Sequence, residues 1–430
     1  MKFASTRDNQ LSVSFEDAML HGLAPDKGLY VPSHLPYLSC DFLQHLPKHT
    51  LPVLAATIMR NFITKIPAPQ LQIMLDDTLN FPIPLIHLDE NFYLLEVFHG
   101  PTLSFKDVGA RFMARALSYY MHAEHRKVTI LVATSGDTGS AIAHAFHHMP
   151  NINVYILYPS KKISLLQEMQ ITTFGGNVHA LEVEGTFDDC QRLVKTALMD
   201  ASLKTKSIVT TSNSINIARL LPQIIYHAWG LTQLQQQGVT ATPISIVPSG
   251  NLGNLTSAIY ANHIGFPVKH FVSALNINSV FADYLATSQF TPQPSKKTLA
   301  NAMDVGNPSN FERLLNIYGN DHRQMRDEVT GISIPDETIL AEIKNCYEKT
   351  GYILDPHTAV GMAAAKQYKT NDDPMIITAT AHPAKFPEVI KSAIHIDIEL
   401  PEQLRMLTTR EKQAEKIGVD YSDLHGVLSR

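Results

Sequence analysis

The pattern of apolar positions changes near residue 92 of this chain. From there on, short apolar runs alternate with stretches at helical spacing. Phe92 to Val97, Val128 to Ala133, Val154 to Tyr158, Val178 to Val183, Ile244 to Val247, Phe271 to Leu275 and Met375 to Thr378 predict strands. Most are near-continuous apolar runs, as in strands covered by helices on both faces. Between them, Ala141 to His147, Ile163 to Thr173 and Asp188 to Leu198 predict helices, and Thr186 with Asp189 has the spacing of a capping box. The alternation predicts an α/β protein with largely parallel sheets. Residues 1–90 read as mixed helices and turns, and 285–300 as an exposed loop.

Length and composition narrow the class. The chain has 430 residues, 44% hydrophobic and 17% charged, enough for two or more cores. A net charge of −5 gives no reason to expect nucleic acid or an anionic membrane as partner. Cys40, Cys190 and Cys346 are far apart and odd in number, which predicts a reducing, cytoplasmic setting and neither a disulfide framework nor a zinc site. No apolar signal core or membrane span is evident.

Candidate chemistry gathers where predicted strands end. Lys106 follows the Phe92 to Val97 run and a Gly100-Pro101 turn, and Ser104 and Asp107 stand at capping-box spacing. That places Lys106 in the first turn of a helix, where the dipole disfavours an ammonium. A neutral amine there can attack a carbonyl. Asp107 also reads as a first-turn acid that only supports the helix. Gly250, Asn251, Leu252, Gly253 and Asn254 form a glycine-rich turn between a strand and a helix, a cradle for phosphate. Neither nucleotide fingerprint, G-x-x-x-x-G-K-[ST] nor G-x-G-x-x-G, is present. Thr134, Ser135, Asp137 and Thr138 sit at a second strand–helix junction and suit a carboxylate, although Ser135 or Asp137 could equally cap the helix. Thr380 ends an apolar strand and could meet a ligand nitrogen. Asn213, Ser214 and Arg219 offer a weaker anion fork. Asp355-Pro356-His357 reads as a helix cap as readily as a site, and the cluster His144, His147, His148 lacks partners for a metal. A reactive amine, a phosphate cradle, a partner for a ring nitrogen and an anion site together fit pyridoxal 5′-phosphate.

At these residues the chain closely resembles threonine synthase, a family of fold-type II pyridoxal-phosphate enzymes. The resemblance runs through Gly28-Leu29-Tyr30-Val31-Pro32, Phe105-Lys106-Asp107, Ser135-Gly136-Asp137-Thr138-Gly139, Pro248-Ser249-Gly250-Asn251, Ala302-Met303-Asp304-Val305 and Thr380-Ala381-His382-Pro383-Ala384-Lys385-Phe386. It implies a tryptophan synthase β-like fold of two α/β domains with an N-terminal segment. The boundaries expected are 1–92 for that segment, 93–125 and 216–430 for a large cofactor domain, and 126–215 for a small one. It also implies a carbon–oxygen lyase that converts O-phospho-L-homoserine and water to L-threonine and phosphate. By the same resemblance Lys106 would tether the cofactor, residues 250–254 would hold its phosphate, and Thr380 would bond its ring nitrogen. Thr134, Ser135 and Thr138 would receive the substrate carboxylate. Asn213, Ser214, Arg219 and Lys162 are candidates for the substrate phosphate.

Asp137 departs from relatives that carry asparagine facing the cofactor's 3′ oxygen. Either it points away or it shares a proton. A related phospho-lyase or serine/threonine dehydratase giving a 2-oxo acid is the alternative activity; a non-enzymatic binding protein and a nucleotide enzyme are more distant ones. Monomer and homodimer both stay open.

Overall fold

The computed structural model describes residues 1–89, 91–124, 127–205, 207–368 and 372–430. Near the start, β1 (Phe3–Ser5) and β2 (Tyr30–Pro32) pair antiparallel. Then come β3 (Leu85–Asp89) and β4 (Phe92–Glu96), followed by β5 (Val128–Ala133), β6 (Ile152–Pro159), β7 (Val178–Val183) and β8 (Ile208–Thr211). The remainder holds β9 (Ile244–Pro248), β10 (His270–Leu275), β11 (Val329–Ser333), β12 (Met375–Ala379) and β13 (Ala414–Ile417).

These strands form two main sheets. The larger runs β11-β10-β9-β12-β4-β3, parallel except for the antiparallel β3–β4 pair. The smaller runs β13-β7-β6-β5-β8 and is parallel throughout. Strands β9 and β12 bury every residue, which is why their sequences are apolar without alternation. Helices start where the sequence supplies caps. Thr186 and Asp189 make the expected capping box, and Asp355 caps the helix Pro356–Gln367 with proline at its first position.

The expected large domain does not hold at its end. Strand β13 pairs in parallel with β7, and Leu424 and Val427 of the following helix pack into the core of the smaller sheet. The C-terminal stretch therefore belongs with the smaller sheet. In β13 only Ile417 is fully buried, so its sequence carries little of a strand signal.

Among the described residues no helix is long and apolar enough to cross a membrane. His144 and His147 pack their rings on Phe174.

Candidate active site

The carboxyl ends of β4, β9 and β12 in the larger sheet and of β5 and β8 in the smaller open into one cavity. Ligand sites collect at such strand ends because the connecting loops and helix N-termini converge there.

Lys106 is held by a zipper between two segments of distant sequence. The N–H of Val97 donates to the carbonyl of Ala379 at 3.1 Å, that of Phe105 to Thr380 at 2.9 Å, and that of His382 to Leu103 at 3.1 Å. Leu103 turns the loop with φ of 57°, a left-handed conformation uncommon for leucine. The helix Lys106–Glu124 then begins on the lysine itself. The expected capping box is absent. Asp107 reaches back to accept from the backbone N–H of Thr102 at 3.0 Å and its hydroxyl at 2.7 Å, so it ties down the loop, while the Ser104 hydroxyl accepts from the Lys106 N–H at 3.4 Å. Burial pushes the Lys106 amine down to about 8; Asp137 opposes the shift, while Arg219 and Lys385 add to it. A sizeable neutral fraction at physiological pH suits a nucleophile.

Residues 250–254 line the cavity opposite the lysine. Leu252 is left-handed with φ of 60°, which turns the chain into the helix Gly253–His263. No side chain caps that helix, so its first N–H groups stay available to an anion. The cup is braced from outside. The Asn251 amide donates to the Ser214 hydroxyl at 2.8 Å, and His227 bonds the Asn254 oxygen at 3.1 Å. These donors fit the phosphate of pyridoxal 5′-phosphate. Thr380 lines the same cavity, and its hydroxyl is engaged by nothing among the described residues.

The other junction divides its labour. The Thr134 hydroxyl accepts from the N–H groups of Gly136 and Gly139 at 2.9 and 2.8 Å, so it shapes the loop. Ser135 and Thr138 also line the cavity, and neither hydroxyl is engaged among the described residues. Neither Ser135 nor Asp137 is the cap, because Gly136 occupies that position without a side-chain bond. Asp137 forms a buried ion pair with Lys385 at 2.7 Å. Burial alone would raise its carboxyl, yet the Lys385 ammonium, followed by Lys106, outweighs that and holds it well below the usual range. It is an anion with a cation of its own.

Arg219 is 2% exposed, and its guanidinium meets Ser212 but no carboxylate among the described residues. Its Nε has no hydrogen-bond partner. Burial lowers it to about 10, which still leaves a cation at neutral pH. An unpaired buried cation on a cavity wall is a receptor for an anion. Asn213 spends its amide on Ala133, bonding the N–H at 3.2 Å and the carbonyl at 2.7 Å, and so links β5 to β8.

Lys162 is a correction. It is exposed and is not part of the cavity wall, because its turn lies outside the strand ends that form the site. Gln191 and Lys195 line the cavity in its place, one turn apart on the helix Phe187–Met199. The capping box at Thr186 sets the phase of that helix, and the i, i+4 spacing from Phe187 through Gln191 to Lys195 was the signal for them. His357 also lines the cavity. Its Nε2 accepts from the Ala302 N–H at 3.1 Å, which makes Nδ1 the donor to Asp355 at 2.8 Å.

Comparison with known proteins covers the chain from end to end. The family model "Threonine synthase N terminus" matches residues 2–79, "Pyridoxal-phosphate dependent enzyme" residues 78–379, and "Threonine synthase, C-terminal" residues 358–427. Threonine synthase of Serratia marcescens is 39% identical, with 100% of this chain and 99% of that protein aligned. The crystal structure of threonine synthase from Escherichia coli matches with a TM-score of 0.94 at 36% identity, covering 100% of this chain and 99% of the other. The pyridoxal-phosphate-bound threonine synthase of Brucella melitensis matches with 0.91 at 32%, covering 100% and 98%. Likeness of this extent, sustained through both sheets and the segments that build the cavity, makes the chain a member of the threonine synthase family, with pyridoxal 5′-phosphate as its cofactor.

Proposed function

We propose that this enzyme converts O-phospho-L-homoserine and water to L-threonine and inorganic phosphate, the last step of threonine biosynthesis. The observation that carries the substrate is Arg219, a buried guanidinium with no carboxylate partner among the described residues, in the same cavity as the half-buried Lys106 and a separate phosphate cup. Two anion sites on one cavity suit two phosphates, one from the cofactor and one from the substrate.

Bound pyridoxal phosphate supplies an electron sink next to the substrate's Cα. The chain's own groups do the rest. Backbone N–H groups of 250–254 would anchor the cofactor phosphate, and Lys106 would be its covalent tether. Thr380 would meet the ring nitrogen as a neutral hydroxyl, tuning the sink more mildly than a carboxylate. Ser135 and Thr138 orient the substrate carboxylate on the loop that Thr134 shapes. The Lys106 amine takes the Cα proton and moves a proton from Cβ, which lets phosphate leave from Cγ. Arg219 and Ser214 hold that phosphate, with Lys195 on the facing helix; Asn213 fixes the wall behind them. A proton returns to Cγ to make the methyl group, water adds its oxygen at Cβ and gives its spare proton to the departing phosphate, and Lys106 returns a proton to Cα. The free thiols Cys40, Cys190 and Cys346 fit a reducing cytoplasm as the place of work.

Product analysis with O-phospho-L-homoserine tests the reading. Threonine and phosphate should appear in equal amounts. Release of 2-oxobutyrate in place of threonine would transfer the enzyme to the dehydratase class.

A further inference from the structure

Asp137 and Lys385 come from different sheets. Asp137 opens the helix Asp137–Phe146 after β5, and Lys385 closes the turn Pro383–Lys385 after β12. Their side chains, 4% and 0% exposed, meet across the cleft at 2.7 Å. The same ammonium donates to the carbonyl of Thr102, in the loop that carries Lys106, at 3.0 Å. Gln167 donates to the same Asp137 oxygen, Oδ1, at 3.0 Å, and its own oxygen accepts from Asn301 at 3.0 Å. Every contact converges on Oδ1. Oδ2 has no hydrogen-bond partner among the described residues, and Asp137 lines the cavity.

A carboxylate in a dry cleft with a lysine normally holds that lysine as ammonium. Here the carboxylate's charge is already matched. We propose that Lys385 is a positioning residue: acting through Asp137 as its fixed counter-ion, it lets an aspartate sit in the cofactor cleft without locking Lys106 in the protonated form. The inference rests on Lys106 as the reactive amine of this family. The charged groups around that amine are Asp137, Arg219 and Lys385. Asp107 faces Arg219 and Lys385 from the lysine's own helix, and His357 faces Asp137 from the helix Pro356–Gln367, which precedes β12. Burial favours the neutral amine, Asp137 favours the ammonium, and Lys385 offsets Asp137. The pair also explains why a lysine stands at position 385 of the Thr380 to Phe386 segment. An arginine fork is longer and planar, and a neutral residue would leave Asp137 uncompensated.

The test is the pH at which Lys106 in the apoprotein reacts half-maximally with a trace acylating reagent, quantified by peptide mass spectrometry. In Lys385→Met the midpoint should rise by about one pH unit or more, a ten-fold loss of neutral amine at a fixed lower pH. In Asp137→Asn it should fall. In the double variant Asp137→Asn/Lys385→Met it should return to near the wild-type value. The visible absorbance of the bound cofactor, titrated over the same range, should move in the same order. A midpoint unchanged in Asp137→Asn, or a double variant shifted as far as Lys385→Met, overturns the proposal. Should Lys385→Met fail to fold, the Asp137→Asn and double variants decide alone. Failure to make threonine from O-phospho-L-homoserine would count against the proposed reaction and leave the labelling result intact.

Discussion

A β-carbon placed on Gly250 would lie 2.7 Å from the Cα of Met303. The phosphate cup and the loop through Ala302 and Met303 thus meet backbone to backbone, an approach open only to glycine. That loop is in turn held by the His357 ring through the Ala302 N–H. Gly250→Ala must push cup and loop apart. The variant is expected to fold and to bind pyridoxal phosphate about ten-fold or more weakly, roughly 1.4 kcal/mol. Fluorescence titration of the apoprotein measures it; an unchanged Kd would show that the two loops yield freely.

Lys106→Met should abolish turnover and covalent retention of the cofactor, yet stabilise the apoprotein. The sign follows from the amine, which lies near 8 when folded against a reference of 10.5. Between those values the unfolded chain binds a proton that the folded one does not, so this residue's contribution to stability is lost as pH falls through 8. At pH 7 the variant should be more stable by about 1–3 kcal/mol, with the gain shrinking above pH 8. Denaturant melts of both apoproteins at pH 7 and 9.5 check this. Equal stability at both would mean that the lysine is better solvated than its burial suggests.

His227 supports the cup through Asn254, and burial pushes it down to about 4. Below 6.5 the unfolded chain takes up a proton that the folded chain refuses, so stability drops as pH falls from 6.5 towards 4. His227→Gln can keep the bond to Asn254 without titrating. The loss of stability between pH 7 and 5 should be smaller in the variant by about 1–2 kcal/mol. Parallel stability curves would contradict it.

Two lysines separate the competing phosphate sites. Lys162→Ala should leave kcat/KM within about two-fold, as for an exposed residue outside the cavity. Lys195→Ala should raise KM several-fold, and Arg219→Met should lower kcat/KM by about 100-fold and abolish inhibition by inorganic phosphate, roughly 2–3 kcal/mol. A large effect at Lys162 would mean that its turn swings into the cleft during turnover.

Much of this was legible in the chain. The interior strands β5, β6, β7, β9, β10 and β12 were plain as apolar runs, because burial on both faces leaves no other pattern. Of the strands that went unread, β3, β11 and β13 lie at sheet edges and are mostly half-exposed or exposed, whereas β1 and β2 are three-residue strands too short to show a period. Lys106, the glycine-rich turn 250–254 and Thr380, which line one cavity, could be picked out because they stand where strands end. The Asp137–Lys385 pair did not, since its members lie 248 positions apart and meet only when the two sheets face each other. Asp107 misled for a related reason: its spacing fits a cap, but Thr102 offers it two better donors. Lys162 misled because a lysine before a helix looks alike whether its turn faces the cleft or the solvent.

Lys106 is the proposed anchor of the cofactor, and a fully buried lysine, Lys385, sits close enough to compete for that role. Borohydride reduction of the holoenzyme, followed by peptide mass spectrometry, distinguishes them directly. The reduced cofactor is expected on Lys106 alone. Label on Lys385, or on neither lysine, would contradict the assignment on which the rest depends.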